Sequence, residues 1–212
     1  DNGGRQFLDW TMGLRTMTLG YGNQAVNAAA IAQMKKGNNF GRPSMIETEA
    51  AQDLNDLIPS AEMVKFAKNG STVTTAAVKL ARAYTGRDKV AFCIDHPFFS
   101  YDDWFISSTP CDNGIPDPGK ELTLPFRYNN LADIEKVFRD EGDHIACVIM
   151  EPATTEEPAK GYLERIHALC RQFGALLIFD EMITGFRWHL NGAQAYFGVT
   201  PDLSTFGKGI AN

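Results

Sequence analysis

From Glu62 onward the apolar positions alternate between short unbroken runs and stripes spaced three and four residues apart, the marks of buried strand and amphipathic helix in turn. Residues 63–67, 89–94, 145–150 and 175–179 read as strands. Residues 74–84, 131–141 and 162–173 read as helices, the second by its stripe Leu131, Ile134, Val137, Phe138. Runs with no alternating polar face belong to strands covered on both sides. The pattern therefore predicts an α/β fold of three αβα layers, with a mainly parallel sheet between helices.

Before Glu62 the pattern is different. Residues 5–10 alternate enough for a short strand after an Asn-Gly-Gly turn, and residues 24–36 place Val26, Ala29, Ala30 and Met34 on one helical face. Residues 44–58 repeat the helical spacing, with Glu47 and Glu49 in the first turn, where a helix start favours negative charge, and Pro59 closing the segment. The chain thus divides into a lead-in, 1–58, and the larger α/β part, 59–212. Residues 111–120, rich in Pro, Gly and Asp, read as a surface loop, and no repeat or low-complexity tract interrupts the pattern.

Composition narrows the function. The 212 residues are 44% hydrophobic and 22% charged, ordinary for a globular chain, and the net charge of -6 with no basic stripe gives nucleic acid nothing to hold. Cys93, Cys111, Cys147 and Cys170 form no C-x-x-C pair, which suits reduced thiols in the cytoplasm and argues against zinc. No apolar run approaches the roughly 20 residues that span a bilayer, and no leader pattern precedes the fold, so a soluble protein without membrane contact is expected. The chain opens at Asp1 and stops inside what reads as a loop and helix start, which suggests a piece of a longer protein.

The candidate chemistry lies at predicted strand ends, where open parallel sheets collect ligands. Lys208 stands between Gly207 and Gly209, and small neighbours let backbone approach a flat ligand. Asp180 and Glu181 close a buried strand; a carboxylate there can hold a pyridine nitrogen protonated, or it can cap a helix or pair with Arg187. Gly70 and Ser71, between predicted strand and helix, can cup a phosphate or simply cap the helix. No G-x-x-x-x-G-K-[ST] order is present, which disfavours a nucleotide loop. Phe98, Phe99, Tyr101, Trp104 and Phe105 can stack on a cofactor, but by count they read as core. His96 and His189 lack metal spacing and read as hydrogen-bonded histidines, so no metal site is expected. Glu151-Pro152 reads equally as an active-site rim or a strand terminator. Arg42 and Arg187 are candidates for a substrate carboxylate, since a guanidinium holds one with two parallel bonds.

These blocks, in order, resemble the class III aminotransferases of the type I pyridoxal-phosphate fold, glutamate-1-semialdehyde aminomutase-like branch. The resemblance is carried by Gly4-Arg5-Gln6-Phe7-Leu8-Asp9, by 80–89, by Asp180-Glu181-Met182-Ile183-Thr184-Gly185-Phe186-Arg187, and by Pro201-Asp202-Leu203 leading to Gly207-Lys208-Gly209. It implies a pyridoxal 5'-phosphate enzyme in which Lys208 forms the Schiff base and moves a proton, and Asp180 pairs with the ring nitrogen. It further implies that Gly70 and Ser71 hold the phosphate, that Phe98 stacks on the ring, and that Met182 lies against one face.

Two departures bear on function. The family's S-G-T-E-A becomes Asn69-Gly70-Ser71-Thr72-Val73, without its glutamate, and its Tyr-His-Gly becomes Phe98-Phe99-Ser100, without the phenol and histidine. The resemblance also implies a homodimer, a small domain beyond Asn212, and a partner-subunit hydroxyl on the phosphate. The expected activity is transamination between an amino donor and a carbonyl acceptor. An intramolecular aminomutase, a non-catalytic α/β binding module and a nucleotide-dependent enzyme stand as alternatives.

Overall fold

The computed structural model describes residues 2–96 and 99–210. Its strands β1 (Lys89–Cys93), β2 (Thr123–Phe126), β3 (Ile145–Met150), β4 (Leu176–Asp180) and β5 (Leu203–Thr205) form one sheet in the order β2-β1-β3-β4-β5. Every neighbouring pair is parallel. β3 lies at the centre and all its residues are buried, as an unbroken apolar run requires. Its side chains alternate between two cores. Val148 and Met150 join Ile134, Phe138, Leu163 and Ile166 from helices Leu131–Glu141 and Tyr162–Phe173. Cys147 and Ile149 join Val78 and Ala81 of helix Gly70–Thr85, together with Phe99, Trp104 and Phe105. The three layers are those the pattern predicts, and the aromatic cluster, over its described members, is largely core.

The pattern misplaces several edges. Residues 63–67 form no strand, and Met63 is 92% exposed; residues 5–10 are likewise irregular. Apolar alternation reports a side chain's preference for burial, but a strand also needs a neighbour for its N–H and C=O groups. Neither segment pairs with the sheet among the described residues. Helix Gly70–Thr85 starts four residues before the predicted 74, because its first turn is polar and Asn69 caps it by accepting from the Thr72 N–H at 3.0 Å. The 111–120 loop holds one helical turn, Asp117–Lys120.

In the lead-in both predicted helices form, Gln24–Lys36 and Met45–Leu57. Asn23 caps the first. Glu47 accepts from the Ser44 N–H at 2.8 Å at the start of the second, while Glu49 lies beyond its first turn. No residue from 2 to 57 is buried, and Met34 is 65% exposed. Just past the lead-in the chain is tied to the α/β part at Ser60, whose N–H donates to Gln194 Oε1 at 3.0 Å and whose hydroxyl lies 2.7 Å from that of Ser204.

Candidate active site

Neighbouring strands bring three of the candidate residues to one edge. Glu151 follows β3, Asp180 ends β4, and Lys208 lies just past β5. β4 and β5 pair Asp180 with Thr205, and the Glu181 N–H donates to the Thr205 carbonyl at 2.8 Å. This fixes Asp180 one strand away from the turn that carries Lys208.

Asp180 is 2% exposed. Its Oδ1 accepts from the Met182 N–H and from Thr205 Oγ1, each at 3.0 Å. Among the described residues nothing donates to Oδ2. Burial raises the acid to about 6, against the pull of those two donors and of Lys208. A carboxylate in that state gains from a cation at its free oxygen. Glu181 is fully buried but spoken for: its carboxylate accepts from Thr184 Oγ1 at 2.7 Å and from the N–H groups of Ala193 and Gln194 at 2.8 and 3.0 Å. Of the two readings that the adjacent acids left open, Glu181 takes the capping one, and Arg187 forms no ion pair with it.

Lys208 opens onto a cavity of about 930 Å³ lined also by Gly70, Phe186, Phe206, Gly207 and Thr18. The Met182 thioether is wedged between two of these walls. A Cβ on Gly70 would stand 3.3 Å from Met182 Cε, and one on Gly207 would overlap Met182 Sδ. Small residues at both places are therefore a packing need. Lys208 and Phe186 both hold left-handed backbone, at φ 48° and 61°. Side-chain-bearing residues adopt this region sparingly, and it is often found at functional sites.

On the same cavity's wall, helix Gly70–Thr85 presents its first N–H groups. Asn69 satisfies that of Thr72, while those of Gly70 and Ser71 have no acceptor among the described residues. Gly70 faces the Lys208 cavity; Ser71 lines a neighbouring cleft of about 530 Å³ with Thr75, Lys79 and Ser100. Phe98 lies outside the described residues. Arg42 is exposed on the loop after Gly37 and does not line the cavity. Arg187 is half-buried against Gly209, and its Nε and Nη2 are shielded from solvent with no partner among the described residues.

Glu151 is 5% exposed, and its backbone N–H donates to His96 Nδ1 at 2.9 Å. Burial first, then Asp180, raises its carboxyl to about 7, while Lys208 and Arg15 pull it down. Burial holds His96 near 4 and hence neutral. His189 accepts from the Asn191 N–H, and no metal cluster occurs among the described residues. Thr205, Arg15 and Thr18 escaped the sequence reading, since a hydroxyl in a three-residue strand and two residues of an irregular segment carry no periodic signal.

Residues 1–98 and 113–212 match the family model for aminotransferase class-III. A glutamate-1-semialdehyde 2,1-aminomutase of Persephonella marina is 36% identical over 99% of this chain and 52% of its own length. An omega-transaminase from Sphaerobacter thermophilus superposes with a TM-score of 0.88 at 27% identity, covering 96% of this chain and 50% of that one. A glutamate-1-semialdehyde aminomutase from Pseudomonas aeruginosa PAO1, at 23% identity and a TM-score of 0.80 over 98% of this chain and 48% of that one, shares the fold. The chain spans about half the length of the relatives it matches.

Proposed function

The chain belongs to the class-III aminotransferase family, and from that premise we propose that its protein is a pyridoxal-phosphate-dependent transaminase moving an amino group between an amine or amino acid and a carbonyl substrate. The observation that carries this is that Lys208, on the wall of a cavity that also takes in Gly70, lies within electrostatic reach of Asp180 at the end of the neighbouring paired strand.

The residues fit the cofactor. Asp180 Oδ2, undonated and held in a buried acid, suits a protonated ring nitrogen. The free N–H groups of Gly70 and Ser71 suit a phosphate at a helix start. Met182, wedged between Gly70 and Gly207, gives the site an apolar wall. Pyridoxal phosphate, when bound, supplies an aldehyde that condenses with amines and a ring that draws electrons from the neighbouring carbon. Lys208 is the amine that would hold it, and the same Nζ, when free, would move the proton beside the transferred nitrogen. Asp180 keeps the ring charge in place through that exchange. The family resemblance assigns Phe98 to stacking; Arg187, against Gly209, is assigned to a substrate carboxylate, and Arg42, which does not line the cavity, is left out of the site.

The test is borohydride reduction of the loaded protein followed by peptide mass spectrometry. An adduct on Lys208, absent in Lys208→Ala together with a roughly 10³-fold or greater loss of amine transfer, is expected. An adduct elsewhere, or undiminished transfer in the variant, overturns the reading. The 36% identity to an aminomutase favours a second reading, intramolecular exchange, which would keep a nitrogen label within one substrate molecule. Homodimerisation belongs to the same proposal, supported by the exposed Phe7, Trp10, Tyr21 and Phe40 of the lead-in. So does a cytoplasmic location, supported by unpaired Cys93, Cys147 and Cys170. No described helix is long and apolar enough to cross a membrane.

A further inference from the structure

Glu151 follows the central strand β3 and is buried. Met150 pairs with Phe179, so the ladder carried one residue further sets Glu151 beside Asp180. The same count gives the face. Cys147 and Ile149 of β3 and Ile178 of β4 lie in the core under helix Gly70–Thr85, whereas Val148, Met150 and Phe179 lie in the other. Side chains two apart on a strand share a face. Glu151 and Asp180 therefore project together toward the layer of the Gly70 helix, and Thr205, paired with Asp180, is next in the row.

Two buried acids side by side hold a proton between them near neutrality, because burial and the first charge both oppose a second one. Hydrogen bonds decide which acid keeps it. Asp180 Oδ1 accepts from the Met182 N–H and from Thr205 Oγ1, donors that favour its ionised form. The Glu151 carboxyl accepts from no described residue. Glu151 bonds only through its backbone N–H, to His96 Nδ1, and with Nδ1 accepting, His96 has no proton there to offer the acid. The proton thus stays on Glu151, whose carboxyl is a donor. Lys208 lies within electrostatic reach of both acids.

Pyridoxal phosphate presents a ring nitrogen, an aldehyde, a phosphate arm and a hydroxyl on the second carbon from the nitrogen. Asp180, Lys208 and the N–H groups of Gly70 and Ser71 suit the first three. The hydroxyl oxygen, anionic while the nitrogen is protonated, needs a donor. Groups that meet the nitrogen and this oxygen lie about one strand spacing apart, roughly 4.8 Å, as neighbours in the row do. On the β5 side of Asp180 the Thr205 hydroxyl is already given to Oδ1. The β3 side offers Glu151.

We propose that Glu151 is a further cofactor-binding residue, whose protonated carboxyl donates to the ring hydroxyl oxygen of pyridoxal phosphate while Asp180 takes the ring nitrogen. The inference rests on the cofactor reading above and adds a contact to it.

Calorimetry of the full-length protein with pyridoxamine 5'-phosphate and with its 3-deoxy analogue, neither of which bonds covalently to Lys208, reads the contact as a ratio of dissociation constants. Wild type binds the analogue roughly tenfold more weakly. Glu151→Leu brings the ratio below twofold by weakening the parent compound alone, and Glu151→Met, closer in shape, does the same. Glu151→Gln, whose amide still donates, keeps most of the ratio. A merely structural role weakens both compounds alike and leaves the ratio of Glu151→Leu at the wild-type value. That result, a wild-type ratio below twofold, or a ratio that Asp180→Asn abolishes and Glu151→Leu keeps, overturns the proposal. Equal binding of both compounds by a wild type that still forms the Lys208 adduct removes Glu151 and leaves the transaminase reading standing. A wild type that binds neither compound and forms no adduct removes both.

Discussion

Asp180 and Glu181 share a strand end, yet one keeps an oxygen free and the other accepts from every donor that α-helix Gly192–Phe197 and Thr184 turn toward it. Both carboxyls are buried, and the hydrogen-bond count separates the acid with an open oxygen from the one whose oxygens are taken up by the fold. Glu151 gives this a pH signature. Its folded value, near 7, is above its ordinary 4.5, so the folded state holds the proton more tightly and the group's stabilising effect is full below 4.5 and fades as pH rises through 7. His96, lowered to about 4 by burial, acts with the opposite sign between 4 and 6.5, as does not the carboxyl of Asp180, which is raised like Glu151. We expect the unfolding free energy of cofactor-free wild type, relative to Glu151→Gln, to fall by about 3 kcal/mol at most between pH 4.5 and 7.5. Parallel pH profiles for the two proteins, from urea titrations, would refute this origin.

At the scale of elements, the site is built from ends. The β5 strand is short, but its pairing with β4 aligns Thr205 with Asp180 and delivers the Lys208 turn; helix Gly70–Thr85 contributes its first turn. Helix Gly192–Phe197 is held differently, by the buried Glu181 carboxylate, and a Cβ on Gly192 would stand only 2.7 Å from Glu181 Oε1. Replacing Glu181 with Gln puts an amide N–H₂ where backbone N–H groups now donate. The expected cost is about 2–3 kcal/mol in urea unfolding, with the Lys208 adduct still formed by borohydride. A loss of the adduct at unchanged stability would show that Glu181 serves the cofactor directly.

Across the whole molecule, one side chain ties layers that are far apart in sequence. Arg87 Nη1 donates to the Phe173 carbonyl at 2.6 Å and to that of Ile145 at 3.2 Å, joining the end of helix Tyr162–Phe173 to the start of β3. Arg82, by contrast, closes its own helix through the Asp88 carbonyl. Arg87→Met is expected to cost about 2 kcal/mol, measured by urea titration, whereas Arg82→Met should cost less than half as much. Equal costs would place Arg87 in the same local role.

Legible in the chain alone were the layers and the parallel grammar, along with a glycine-flanked lysine and a strand-end acid as candidates, because burial on one or both faces writes a local period and motifs are contiguous. Only the fold could settle that residues 63–67 form no strand, that Glu181 rather than Asp180 caps a helix, and that Gly70 and Ser71 face different clefts. Each of these depends on which groups meet across the fold, and hydrogen-bond partners distant in the chain leave no period in it.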